Sequence, residues 1–268
     1  LPEGEWLERV AQPLRQDRQL LAQLTERFWP GPFTVVLPKR QVIPDLVTAG
    51  LNTVAVRISA HPIFAEVVRT FGKPLAAPSA NRFGRLSPTT AQHVHDELNG
   101  RIPLIIDGGP TEHGIESTIV IVRDGKIDIL RRGSISYEQL AEFAEVNVVS
   151  TTGKISVPGQ LKSHYAPNTP LCLVDNAANF ASENLRVGLL AWNPVTDQNR
   201  FAATRLLSER RDYREAAANL FRYLRELDAL DLDLIVAERV PAQRIGAAIL
   251  DRLERAAHDS GQTRDRLE

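Results

Sequence analysis

Between Phe33 and Gly133 the chain repeats one pattern. A short run of apolar, often β-branched residues stops at Gly, Pro, Arg or a small hydroxyl: FTVVLP (33–38), TVAVRIS (53–59), PLAAPSA (74–80), IPLIIDGG (102–109), STIVIVR (117–123) and KIDILRRG (126–133). Runs this short, bounded by turn residues, read as strands. Between them lie stretches with helical spacing: residues 5–29 with a break at Pro13, IFAEVVRTFG closed by Gly72, TTAQHVHDELNG closed by Gly100, and SYEQLAEFAEV with a Ser cap. Strands and helices mix without strict alternation. That predicts an α/β fold: a twisted mixed sheet with helices packed on it.

The texture changes near residue 150. STTGKISVPGQLKSHYAPNTP is rich in Ser, Thr, Pro and Gly, and 151–169 holds two basic residues, Lys154 and Lys162, and no acid. It reads as a linker, and Lys162, His164 and Tyr165 inside it point to a segment that docks. Beyond it, LCLVD, VGLLAW, ATRLLS and DLIVAERV read as strands. DYREAAANLFRYLRELDAL and RIGAAILDRLERAAHD read as helices, and the last residues as a frayed tail. The expected organisation is a first domain over 1–150, a linker or lid over 151–169 and a small Rossmann-like α/β domain over 170–262. The second domain has no GxGxxG, so its fold implies no dinucleotide.

Composition excludes several classes. The formal net charge of -1 provides no basic field for nucleic acid and no polybasic tract for a membrane. No apolar run approaches a bilayer span. A single cysteine, Cys172 in an apolar run, rules out an internal disulfide framework and fits a reducing, cytoplasmic setting. The six histidines are scattered, without Cys pairs or an HExxH pattern. The chain contains no methionine, which leads us to expect a piece of something longer.

Four places combine small polar groups, Arg and Gly at strand ends: Ser79–Asn81 with the following Ser87-Pro88-Thr89-Thr90, Arg57 closing TVAVR, Ser117-Thr118 entering a strand, and Arg131-Arg132 before Gly133. Open α/β sheets bind ligands at strand ends. Hydroxyls and backbone N–H groups at a helix start suit phosphate, and Arg pairs with phosphate or carboxylate through two prongs. No nucleophile–base arrangement is visible, so positioning and charge stabilisation, as in phosphoryl or nucleotidyl transfer, fit better. Each feature alone also admits a structural reading. Ser-Pro-Thr-Thr makes an N-cap, Arg57 a solvated strand-end charge, and the DGG and RRG stretches make turns.

Taken in order, the blocks ERFWPGPFTVVLP, AGLNTVAVRISAHP, KPLAAPSANRFGRLSPTTAQHV, IIDGGPTEHGIESTIV and ILRRGSIS resemble a YrdC-like domain. PGQLKSHYAPNTPL and the α/β region ending in RIGAAILDRLERAA resemble the two-domain branch of that family, the threonylcarbamoyl-AMP synthases. The resemblance runs from about Glu26 to Ala257. It implies a twisted sheet around a deep cleft that condenses L-threonine, bicarbonate and ATP, with Mg²⁺, to threonylcarbamoyl-adenylate and pyrophosphate. A downstream transferase then serves tRNA. It implies Arg57, Ser79 and Ser117 on the threonine, and Thr53, Asn81, Ser87 and Arg131 on the ATP. It also implies that Tyr165, beside His164, closes over the nucleotide as a lid, with no residue assigned to covalent catalysis or to a metal.

The family's upstream Lys-x-Arg block has no counterpart in residues 1–30, and Arg132 stands where Pro is more usual. The resemblance therefore leads us to expect an N-terminally incomplete catalytic domain with slow turnover. The rival readings are a truncated paralogue that binds ligands without catalysis, and an RNA-binding module of the same fold.

Overall fold

The computed structural model describes residues 1–149, 164–180, 184–195 and 200–257. These form two compact units: residues 1–78 with the segment from 116, and residues 79–115 with the described residues from 164 onward. The second unit thus takes in both the Ser79–Ile115 stretch and the region after the linker. Residues 150–163, which hold Lys162 and most of the expected lid, lie outside the described residues.

In the first unit, α1 (Leu7–Val10) and α2 (Arg18–Phe28) are separated by the segment containing Pro13, as the break in periodicity predicts. β1 (Phe33–Pro38), β2 (Thr53–Val56), β3 (Thr118–Arg123), β4 (Lys126–Arg131) and β5 (Val146–Val148) form one mixed sheet in the order β2-β1-β3-β4-β5. β1 runs antiparallel to β2 and parallel to β3, and β4 runs antiparallel to β3. Period-two alternation sorts the side chains. Phe33, Val35, Leu37, Val54, Val56, Val120, Val122, Ile127 and Ile129 join Leu20, Leu21, Leu24 and Phe28 of α2 in one apolar cluster. Their neighbours in sequence take the other face, where Val36, Ile119 and Leu130 make a small cluster of their own.

α3 (Pro62–Phe71) ends as expected at Gly72, which takes a left-handed φ of 70°. The structure shortens one expected helix. α5 (Tyr137–Ala141) opens on a capping box between Ser136 and Gln139 but stops early, and the β-branched residues that follow pair with β4 as β5.

Two expected strands are not strands. Residues 74–80 and 102–109 carry no ladder, and Leu75, Ile102, Leu104 and Ile106 are exposed. A run of apolar residues becomes a strand only when its backbone N–H and C=O groups find a neighbouring strand, and among the described residues none pairs with either run.

In the second unit, α4 (Ala91–Leu98) starts at Thr90, whose hydroxyl caps the His93 N–H. β6 (Leu171–Val174), β7 (Val187–Ala191), β8 (Ala203–Leu206) and β9 (Leu234–Glu238) form an all-parallel sheet in the order β6-β9-β7-β8, the expected Rossmann-like arrangement. α6 (Tyr213–Asp228) and α7 (Gly246–Ala257) bury an apolar stripe against it. Ala216, Ala217, Leu220, Phe221, Leu224 and Leu227 recur at helical spacing and share a core with Ile249 and Leu253. Asp212 caps α6 through the amides of Arg214 and Glu215. Cys172, expected to be buried, is half-buried on β6.

Candidate substrate-binding residues

In the first unit the sheet register builds a polar row. β2 and β1 pair Val56 with Val35, so Arg57 follows beside Thr34 at the end of the ladder. β1 and β3 pair Phe33 with Thr118, which sets Ser117 at the same end. Alternation puts Thr34, Arg57 and Ser117 on the face opposite α2. Arg131 would fall on the α2 face with Ile127 and Ile129 if β4 ran regularly. A bulge intervenes. Val120 pairs with Ile129, but Ile119 pairs with Arg131, so one extra residue on β4 turns Arg131 to the polar face.

The side chains interlock. Ser117 Oγ lies 2.8 Å from Thr34 Oγ1, and Arg131 donates to Ser117 Oγ at 3.1 Å and to the Ser117 carbonyl at 3.0 and 3.2 Å. Thr34 and Ser117 are buried. Arg57 Nε donates to the Gly31 carbonyl at 2.8 Å, and among the described residues no carboxylate pairs with it. Removal from water, and then the positive Arg131, pull the Arg57 guanidinium below its usual pKa. Two cations held close enough to repel favour an anion between them. Gly133 is required beside this row, because a Cβ there would stand 2.4 Å from the Glu116 carbonyl and from the Thr118 amide.

Thr53 shares the face of Arg57 but sits four residues away at the far end of β2, about 13 Å along the strand. The structure therefore brings together Arg57, Ser117 and Arg131, with Thr53 apart from them. Thr34 was missed by sequence reasoning. Its signal is a lone hydroxyl inside the apolar run of β1.

In the second unit, Ser79 is exposed and Asn81 half-buried at the start of a loop. Asn81 Nδ2 donates to the carbonyls of Arg82 at 2.9 Å and Arg85 at 3.2 Å, curling the loop, while its Oδ1 is buried with no hydrogen-bond partner among the described residues. Ser87 is buried between Leu86 and Thr89. His93 Nδ1 faces the Thr89 amide and hydroxyl at 3.2 Å each, and burial, followed by the charge of Arg225, lowers its pKa below the ordinary 6.5, against the opposing carboxylates of Asp96 and Glu226.

Tyr165 lies along the same loop. The neighbouring Ala166 amide donates to Gly84 at 3.0 Å, and Arg85 and Ala166 form a parallel bridge. The Tyr165 ring turns inward, 1% exposed, edge-on to His164 at 4.1 Å, 5.4 Å from Phe221 and 5.5 Å from the Arg252 guanidinium. Its φ of 64° is uncommon for a residue with a Cβ. Here the ring anchors the strap that carries it.

A mixed five-stranded sheet with two arginines and buried hydroxyls at one end, and a separate all-parallel sheet flanked by helices, define a class: two-unit α/β proteins. The chain belongs to the threonylcarbamoyl-AMP synthase family, a family of enzymes. Residues 2–133 match the family described as Telomere recombination, and residues 135–258 match the one described as Threonylcarbamoyl-AMP synthase, C-terminal domain. The threonylcarbamoyl-AMP synthase of Pyrococcus abyssi is 35% identical over 94% of this chain and 77% of its own length. That of Bacillus subtilis is 37% identical over 87% and 72%. The solved structure of Pyrococcus abyssi Sua5 complexed with L-threonine superposes with a TM-score of 0.84, at 34% identity, over 96% of this chain and 78% of the other. These matches agree with the α/β, YrdC-like fold expected from the sequence.

Proposed function

We propose that this chain is an L-threonylcarbamoyladenylate synthase that joins L-threonine, bicarbonate and ATP into threonylcarbamoyl-AMP, releasing pyrophosphate and water, as a nucleotidyltransferase. The observation that carries the reading is the row on the first unit's sheet face. Arg57 there has no carboxylate partner among the described residues, stands near Arg131, and is flanked by the buried hydroxyls of Thr34 and Ser117. Arg57 would take the threonine carboxylate through two prongs. Ser117 would accept or donate to the amino acid, and Arg131, which already orients Ser117, would face developing negative charge. Ser79, Asn81 and Ser87 are assigned to threonine and nucleotide as the family resemblance implies. Thr53, which it also places on the nucleotide, stands apart at the far end of β2, and the Tyr165 ring, implied as a lid, is turned into the core against Phe221. The buried, unpartnered Asn81 Oδ1 supports a hydrogen-bond donor arriving there.

Mg²⁺ is assigned to the nucleotide's own phosphates. It binds through phosphates and waters with at most one or two carboxylates, and no group of three His, Cys, Asp or Glu able to hold a metal stands among the described residues. The metal would neutralise phosphate charge. The protein's part is to fix the two substrates and exclude water from a labile adenylate. The product would pass to a transferase acting on tRNA, in the cytoplasm. Among the described residues no helix is long and apolar enough to cross a membrane.

A pyrophosphate-release assay tests this reading. Release should require all three substrates together, and calorimetry should show threonine binding to the chain. Absence of threonine binding, or release without bicarbonate, would overturn it.

A further inference from the structure

The second unit contains a half-buried arginine that the sequence reading did not single out and the proposed chemistry does not use. Arg225 lies on α6, one turn past Phe221, on the edge of the helix's apolar stripe. It reaches into the 81–90 loop. Its Nη2 donates to the Leu86 carbonyl and, at 3.0 Å, to Glu97 Oε1, while Nε lies 3.4 Å from the Ser87 carbonyl. The two side chains of the ion pair are 15% and 11% exposed. Glu97 Oε2 in turn accepts the Arg82 amide at 3.2 Å. One guanidinium therefore holds two successive main-chain carbonyls of the loop and the α4 carboxylate that grips the loop's start.

We infer that Arg225 is a positioning residue for the nucleotide-side loop, acting through the Leu86 and Ser87 peptides. The inference rests on the assignment of Asn81 and Ser87 to ATP. The physical argument is one of geometry. An exposed ion pair would contribute little, but this one is largely removed from water, and its planar fork serves three acceptors at once. Fixing the peptides on both sides of the Ser87 Cα fixes its Cα–Cβ direction, and so the small set of staggered positions open to its hydroxyl. The strap at Ala166 holds Gly84 from a second point, and Thr89 is held by His93. Arg225 supplies the contact between these two, at the Leu86 and Ser87 carbonyls. On this reading the carboxyl-terminal domain contributes to catalysis by shaping a loop, and it touches no substrate through Arg225.

The test uses the full chain with Arg225→Lys, Arg225→Ala and Glu97→Gln. Lysine keeps the charge beside Glu97 but loses the fork. Arg225→Ala should weaken ATP binding by about tenfold, the scale of a lost charge-assisted hydrogen bond, with threonine binding changed less than about twofold on the same scale. Arg225→Lys should recover part of the loss, and Glu97→Gln should shift ATP binding in the same direction by a smaller factor. Amide hydrogen exchange without ligand should quicken across Arg85–His93 in Arg225→Ala while the β3 and β4 amides keep their protection.

Equal losses for both substrates, or unchanged ATP binding in folded Arg225→Ala, would overturn the inference. So would unchanged exchange across the loop in Arg225→Ala. If the unsubstituted chain bound threonine but no ATP, the nucleotide assignment would fall and the inference with it. Loop exchange that still quickened would then show the contact to be structural only.

Discussion

The polar row of the first unit and the loop of the second carry different parts of the expected site, and they are built in different ways. Arg57, Thr34, Ser117 and Arg131 are placed by strand register. Once β1 pairs with β2 and β3, three of the four have no freedom to be elsewhere, and the bulge on β4 turns the fourth. Among the described residues the loop from Ser79 to Thr90 joins no strand ladder beyond the single bridge of Arg85 with Ala166. It is held from other elements, by the side chains of Arg225 on α6 and of Glu97 and His93 on α4 and by the Ala166 backbone amide. A register-built site should tolerate changes in the packing around it and fail when its own residues change. A loop-built site should fail through its supports.

The sharpest way to break the comparison is at Gly114, where the second unit brings backbone against backbone. Its φ is 67°, and a Cβ there would stand 2.1 Å from the Ala217 carbonyl and 2.5 Å from the Ala218 Cα on α6. Neither group is a flexible side-chain end that can swing aside. Gly114→Ala should cost about 3 kcal/mol in urea unfolding, the scale of a backbone clash at a special φ. The loop side should lose ATP binding before the sheet-end row loses threonine. Retained ATP affinity would show that the loop does not depend on its seat against α6.

Arg57 tests the other side. Arg57→Lys keeps a cation but loses the two-pronged geometry. Threonine affinity should fall about tenfold, or about 1.4 kcal/mol, with ATP affinity nearly unchanged, as calorimetry on each substrate would show. Equal losses for both would mean that Arg57 supports the sheet end in general and does not read a carboxylate.

The legibility of the two regions follows from the same difference. Arg57, Ser117 and Arg131 were visible in the sequence because strand ends are marked by a change from β-branched residues to Arg, Ser or Gly. The bulge that aims Arg131 left a trace that was not read: KIDILRR alternates only as far as Ile129, where apolar Leu130 follows directly and joins the other face. The runs PLAAPSA and IPLIIDGG look like strands by composition, yet composition says nothing about whether a neighbouring strand is available to pair. Arg225 and Glu97 were missed because support for a loop comes from residues far away in sequence. The available signal was weak: a charged side chain one turn from Phe221 on an otherwise apolar stripe.

A smaller effect should come from the pair Thr34 and Ser117. Their hydroxyls are buried and 2.8 Å apart. Ser117→Ala leaves Thr34 Oγ1 without its partner and Arg131 with one acceptor fewer, at a cost of about 1 kcal/mol. Thr34→Val alone should cost a similar amount. The double substitution should cost less than the sum, because the unpaired buried hydroxyl is then gone as well. Strict additivity in a double-mutant cycle would indicate that the two hydroxyls do not depend on each other and that the row is looser than its distances imply.

The smallest expected effect separates the two regions by pH. The sheet-end row of Arg57, Thr34, Ser117 and Arg131 holds no histidine. The loop has His93, which supports it by accepting the Thr89 N–H at Nδ1. That bond needs the lone pair of neutral imidazole, and protonation would set one N–H against another. Burial and Arg225 lower the His93 pKa below 6.5, while Asp96 and Glu226 oppose the shift. Below 6.5 the unfolded chain therefore binds more protons than the native one, so stability falls as pH falls toward the lowered native pKa and is complete above 6.5. In His93→Gln an amide replaces the titrating ring. Its unfolding free energy should lose less between pH 7 and pH 5 than that of the unsubstituted chain, and its Thr89 amide should exchange no faster at the acid end. Superimposable pH profiles for the two chains would show that His93 plays no part in holding the loop and would leave Arg225 and the Ala166 strap as its supports.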